Sequence, residues 1–243
     1  MATELLYLND FDVLTASACV LVADPVDDGR VSVVLDRTCF YPRGGGQDWD
    51  EGTIRATAGE FAVTEVRLDE NGVVHHIGTG TLNAGDEVAL HVDGTRRSLN
   101  TRLHSAGHMV DLAVERLGLG WVPGKGAHYP HMSFVEYAAT VVPESVEGIS
   151  AGIQQTANEV IAAGSHNEIR FMPVSEMGAY CRNVPDNIPT NKPARIVLYG
   201  PDFGVPCGGT HVADVQEIGT VSITRIKSKK GITKVSYAVD GIN

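Results

Sequence analysis

The chain has 243 residues, 43% hydrophobic and 20% charged, which suits one large or two ordinary globular domains with a core of their own. A formal net charge of −11, from 19 Lys and Arg against 30 Asp and Glu, argues against a nucleic-acid binder driven by charge alone, because counterion release needs clustered cations. No apolar run reaches the roughly 18 residues of a membrane span, and the start Met1-Ala2-Thr3-Glu4-Leu5-Leu6 has no signal-peptide pattern, so a cytoplasmic protein with no membrane partner is expected. There Cys19, Cys39, Cys181 and Cys207 are expected as thiols.

Residues 1–92 read as a β-rich domain. Short runs rich in Val, Leu and Ile at 18–23, 31–35, 52–56, 61–68, 73–77 and 87–92 are punctuated by Asp28-Gly29, Glu51-Gly52, Asn71-Gly72 and Gly85-Asp86. Asn71-Gly72 is a strong hairpin signal, since both residues accept positive φ. The pattern predicts a small β-barrel. One loop stands out in it: Phe40-Tyr41-Pro42-Arg43-Gly44-Gly45-Gly46-Gln47-Asp48. It is no phosphate loop, because no Gly-Lys-Ser/Thr follows. The glycines allow a tight conformation or a close approach, and Gln47 supplies a donor and an acceptor, so a shaped loop over a site is expected rather than a linker.

Residues 93–243 form the second predicted domain, an α+β layer with helices on one face of a mostly antiparallel sheet. Leu99, Leu103, Val110, Val114 and Leu117 recur at helical spacing, Asp93 or Thr95 can cap the start, and Gly118 and Gly120 end the run. A loop is expected at 120–131 and a strand at 132–138. A second helix opens at Pro143-Glu144, with Val146, Ile149, Ile153, Ala157 and Val160 on its apolar side and Gln154, Gln155, Asn158 and Glu159 mostly opposite. Strands follow at 169–174, 194–199, 219–226 and 232–239, the last two joined by a turn at Lys229-Lys230-Gly231.

Two spacings carry chemistry. Four residues advance a helix by about 400°, so His104 and His108 share one face a turn apart. Cys207 and His211, in Cys207-Gly208-Gly209-Thr210-His211, repeat the spacing in a turn. Either pair alone would be ordinary. Together they offer three imidazoles and a thiolate with no acidic cluster nearby, which selects zinc, one per chain, over magnesium or calcium. Three ligands would leave an open catalytic position and four would close the ion, and both remain open at this point. A zinc protease is excluded, because Ser105 stands where the helix motif needs Glu. Cations are enriched near the end of the chain at Arg225, Lys227, Lys229, Lys230 and Lys234, where a polyanion could dock.

The His104/His108 pair, the string Cys207-Gly208-Gly209-Thr210-His211-Val212 and the upstream Gly44-Gly45-Gly46-Gln47 closely resemble the editing domain of alanyl-tRNA synthetase and its free-standing AlaX-type relatives. The resemblance runs from about residue 31 onward and implies deacylation in trans of mischarged tRNA for alanine, carrying serine or also glycine. A pocket for a small apolar residue rejects an added hydroxyl only about a hundredfold, so a second, hydrolytic site is needed. The resemblance makes His104, His108, Cys207 and His211 the metal ligands and places His104, His108 and Gln47 in the catalytic set. It puts substrate against Gly44, Gly45, Gly46 and Ser32, and tRNA against Arg225, Lys227, Lys229 and Lys230, with Arg43, Arg96, Arg97 and Lys125 as further contacts. Ser105 and Gly107 depart from the hydroxyl-bearing residues more usual between the two histidines. The alternatives are an editing activity of the threonyl-tRNA synthetase type and a non-catalytic, zinc-stabilised tRNA-binding module. Monomer and dimer are equally compatible with the sequence.

Overall fold

The computed structural model describes residues 2–57, 59–186, 188–201 and 203–241. The chain divides into two compact units, Met1–Leu99 and Asn100–Asn243.

The first unit is the expected barrel. Its strands are β1 (Glu4–Leu5), β2 (Thr15–Pro25), β3 (Val31–Leu35), β4 (Arg37–Thr38), β5 (Gly52–Ala56), β6 (Gly59–Leu68), β7 (Val74–Gly80) and β8 (Glu87–Val92). Six of them close in the order β2-β3-β7-β6-β5-β8, every neighbour antiparallel, while β1 pairs with β4 outside the ring. Register shifts at Val20/Val22 and Val63/Glu65 supply the bulges that let long strands bend into a closed sheet. Leu35, Phe40, Ile54, Phe61 and Leu90 fill the interior with no exposed surface. The β6–β7 hairpin turns at the Asn-Gly signal, where the Asp69 carboxylate accepts from the amides of Asn71 and Val73.

Helix α1 (Gly94–Arg116) starts on Asp93, whose carboxylate accepts from the amides of Thr95 and Arg96, so Asp93 rather than Thr95 is the cap. It stops in a left-handed residue, Gly118, with Gly118 N–H on the Glu115 carbonyl and Leu119 N–H on the Val114 carbonyl. Leu103, Val110 and Val114 are buried as the periodicity implies, whereas Leu117 is 39% exposed beyond the last helical turn.

The second unit adds β9 (Val122–Tyr129), β10 (Met132–Ala138), α2 (Val146–Ala163), β11 (Asn167–Met172), β12 (Ala194–Tyr199), β13 (Gly204–Pro206), β14 (Val221–Lys229) and β15 (Ile232–Val239). One antiparallel sheet has the order β14-β15-β10-β9 and a smaller one the order β11-β12-β13. Strand β9 corrects the loop expected at 120–131. Its Pro123, Gly124 and Gly126 hide the strand pattern, yet among the described residues β9 pairs only with β10, and an edge strand tolerates a missing amide donor. The opposite edge is closed by α2. Asn158 exchanges two hydrogen bonds with the Val221 backbone and Gln154 accepts from Ile223 N–H, so these amides blunt an edge rather than face away from the sheet. Among the described residues no helix is long and apolar enough to cross a membrane.

Candidate metal centre

Helix α1 and the segment after β13 meet as the two spacings require. The ligand atoms of His104, His108, Cys207 and His211 all lie within 4.8 Å of one another, and among the described residues no other group of three or more such donors converges. His104 Nε2 is 3.2 Å from Cys207 Sγ, and Gly209 N–H points at the same sulfur at 3.4 Å. The glycine at 209 follows from this approach, because a Cβ there would lie 2.2 Å from the His104 ring. Arg195, 7% exposed, holds the turn by donating to the carbonyls of Cys207 and Gly209. Thr101 on α1 bonds Thr210 at 2.6 Å, and the Ser105 hydroxyl accepts from Val212 N–H. Ser105 therefore stitches helix to turn next to His211.

The donor atoms fit a zinc ion on grounds internal to this structure. Tyr199 hydroxyl sits 2.5 Å from His211 Nδ1 and so leaves Nε2 of that ring to the centre. The Nε2 atoms of His108 and His211 are buried without a hydrogen-bond partner, a state that costs free energy unless a ligand takes up the lone pair. Burial, helped by the neighbouring imidazoles, holds His104 and His211 well below the ordinary histidine range and brings His108 to about 3. All three are thus neutral, the form that binds a metal. Burial raises the Cys207 thiol, and a bound cation would remove that proton.

A fourth histidine adjoins the cluster. His128 of β9 packs its ring 4.7 Å from that of His104, with Nδ1 2.5 Å from the Tyr237 hydroxyl, which itself donates to the Leu103 carbonyl. Gly107 makes room for it, since a Cβ there would lie 2.5 Å from the His128 ring. The departure at Gly107 is therefore matched by His128, which lies on β9 rather than in the loop expected at 120–131. Pairing of Ser133 with both His128 and Tyr237 marks one row of the sheet, and only the strand assignment reveals it.

The other predicted residues fall as follows. Gly44 and Gln47 form an isolated antiparallel bridge, with Gly45 and Gly46 at φ 53° and 76°, so the glycine-rich segment is a tight turn and not a linker. Tyr41 hydroxyl donates to the Gly44 carbonyl, and Gln47 is fully buried. Ser32 is 7% exposed, its hydroxyl 3.1 Å from His75 Nδ1. Arg225, Lys227 and Lys229 are exposed along β14, and Lys230, at φ 52°, turns the hairpin. Arg97 cannot contact a nucleic acid: it is 3% exposed and pairs with the fully buried Asp50.

Sequence comparison agrees with this geometry. A family model described as tRNA synthetases class II (A) matches residues 17–96, and one described as the threonyl and alanyl tRNA synthetase second additional domain matches residues 195–235, the stretch that holds Cys207 and His211. An alanine–tRNA ligase of Methanothrix thermoacetophila is 30% identical over 85% of this chain and 23% of its own length, and one of Methanopyrus kandleri is 31% identical over 97% of the chain and 26% of its own. The chain thus spans about a quarter of these ligases. The alanyl-tRNA editing protein AlaX-M of Saccharolobus solfataricus is 34% identical over 85% of the chain and 88% of its own length. With near full-length coverage of a free-standing relative, the chain belongs to the AlaX-type family of alanyl-tRNA editing proteins.

Proposed function

We propose that this protein is an aminoacyl-tRNA deacylase that acts in trans on mischarged tRNA for alanine, releasing serine and, as a second substrate, glycine. The observation that carries the reading is the convergence of His104, His108, Cys207 and His211, buried or half-buried, in a chain of this family. The matched relatives are alanine–tRNA ligases and an alanyl-tRNA editing protein, which supports an alanyl rather than a threonyl tRNA as partner.

In the reaction a water oxygen adds to the ester carbonyl carbon, the bond to the terminal ribose oxygen breaks, that oxygen leaves with one of the water protons, and the amino acid departs as a carboxylate while the second proton passes to solvent. A zinc ion held by three of these four side chains, with the remaining position open, would supply Lewis acidity toward the ester. The protein's own part is positional. Tyr199 orients His211, Arg195 fixes the turn at Cys207, and the buried, neutral imidazoles keep lone pairs toward the centre. Gln47 is the proposed positioning group for substrate or water, Gly44, Gly45 and Gly46 the backbone that substrate approaches, and Ser32 the contact for a substrate hydroxyl. The exposed Arg225, Lys227, Lys229 and Lys230 are the proposed phosphate contacts, a local cationic face on a chain of net charge −11. Location in the cytoplasm, where charged tRNA is used, goes with this reading.

Purified zinc-loaded protein is expected to release serine from seryl-tRNA for alanine and to spare alanyl-tRNA. Absence of release at every zinc level, with tRNA still bound, would favour the non-catalytic module instead.

A further inference from the structure

Beside the metal centre the second unit contains a cavity of about 330 Å³, near the lower end of the roughly 300–1,000 Å³ typical of small-molecule sites. His108 is the member of the donor cluster that lines it, so the cavity adjoins the proposed centre through that side chain. Trp121, Tyr137 and Phe203 contribute aromatic wall, with the Trp121 and Tyr137 rings 5.5 Å apart. Its acidic lining comes from Asp111 and Glu115 on α1. The steps from His104 to His108, Asp111 and Glu115 are four, three and four residues, so one stripe of the helix carries two metal-site histidines and then two carboxylates.

The two acids differ in their partners. Glu115 is met by Arg182 at 3.6 Å. Asp111 has only a neutral partner, the Tyr137 hydroxyl, which donates to one carboxyl oxygen at 2.5 Å; among the described residues nothing bonds the other oxygen. The cavity thus has one carboxyl group that pairs with no cation among the described residues, since Arg182, which also lines it, is engaged by Glu115. Burial raises Asp111 to about 7, so the empty cavity tends to keep the proton. A cationic ligand would reverse that preference and turn a costly buried charge into a paired one.

Resting on the deacylase reading, we infer that Asp111 binds the α-ammonium group of the aminoacyl ester, so that the cavity selects substrates whose amino group is free. The reach is suitable. The nitrogen lies about 2.5 Å from the ester carbonyl carbon through two bonds, and Asp111 follows His108 by three residues, a rise of roughly 4.5 Å along the helix. An ester carbonyl at the His108 end therefore presents its ammonium toward the carboxylate. Such a contact does not distinguish serine from alanine. It distinguishes an aminoacyl end from a peptidyl or formylated one, which carries an uncharged amide at that nitrogen.

The test uses two non-hydrolysable probes, seryl-adenosine with an amide in place of the ester and its N-acetyl derivative, with calorimetry on the zinc-loaded protein. The free-amine probe is expected to bind at least tenfold more tightly, Asp111→Asn to abolish that preference, and Asp111→Glu to keep part of it. In parallel, the wild-type protein should deacylate seryl-tRNA at least tenfold faster than N-acetyl-seryl-tRNA. Equal binding of the two probes by the wild-type protein would overturn the inference whether or not Asp111→Asn folds, as would an undiminished preference in a folded, metal-replete Asp111→Asn. Lack of hydrolysis of seryl-tRNA together with an Asp111-dependent preference among the probes would instead sink the deacylase reading and leave the ammonium site standing.

Discussion

Both units bury histidine, and they do so to opposite ends. In the barrel, His76 is fully buried with both ring nitrogens engaged, Nε2 2.8 Å from the Thr38 hydroxyl and Nδ1 3.1 Å from the Val33 carbonyl, and its ring packs edge-on against Phe40. In the second unit, His108 and His211 each bury an Nε2 with no partner. One ring is a polar member of a core with its hydrogen bonds complete; the others belong to the cluster on which four donors converge. An unpaired nitrogen alone is not the signature, since His91 Nδ1 in the barrel is also buried without a partner. Convergence is what separates the cases, because four donors within 4.8 Å can share one cation and a single one cannot.

The largest effect that would break this comparison is removal of a ligand. His211→Ala is expected to bring bound zinc from one per chain to near zero by elemental analysis and to lower deacylation at least 100-fold, whereas His76→Gln should leave both within about twofold. Retention of stoichiometric zinc in His211→Ala would mean that the donors do not act as a set. Next in size is acid sensitivity of the barrel. Burial brings His76 to about 4, opposed in part by the Val33 carbonyl, while an unfolded histidine titrates near 6.5. As pH falls below about 6.5 the unfolded chain takes up a proton that the barrel refuses. This contribution is therefore fully present above 6.5 and is lost on the way down to about 4, on the order of 3 kcal/mol. Urea melts of wild type and His76→Gln at pH 7.5 and 4.5 measure it, and an equal acid loss in both proteins would rule His76 out as its source.

A smaller change probes how closely the turn fits. Gly209→Ala places a Cβ against the His104 ring, and overpacking of this kind costs about 1–3 kcal/mol, with weaker zinc retention against a chelator as its sign. Tyr199→Phe removes only the hydroxyl on His211 Nδ1 and should weaken metal affinity 10–100-fold with little loss of stability, as expected for an orienting hydrogen bond. Smallest is Lys227→Ala on β14, which should lower the salt dependence of tRNA binding by about one counterion and leave zinc content unchanged.

Much of the chain could be read in one dimension. A helix cap at Asp93 or Thr95, the Gly118 stop, the Asn71-Gly72 turn and strands such as Met132–Ala138 follow from local rules, because caps, turns and alternation act over a few residues, and the structure chooses Asp93. Strand β9 escaped them, since its Pro and Gly residues are tolerated for reasons set by its edge position and by the His128 ring lying over Gly126, where a Cβ would come within 2.7 Å. His128 itself was hidden with it. Gln154 and Asn158 read as a polar helix face, and nothing in the spacing reveals that they pair with a strand more than sixty residues away.

By itself the sequence determined the β-then-α+β order, the two ligand spacings and the family, because periodicity and short strings such as Cys207-Gly208-Gly209-Thr210-His211 are local properties. Only the tertiary structure decided that the pairs converge, that Tyr199 and Arg195 orient them, and that Asp111 reaches a cavity beside His108. Each of these depends on which distant backbone lies alongside α1, and that is settled by packing over the whole unit rather than by any residue's neighbours in the chain.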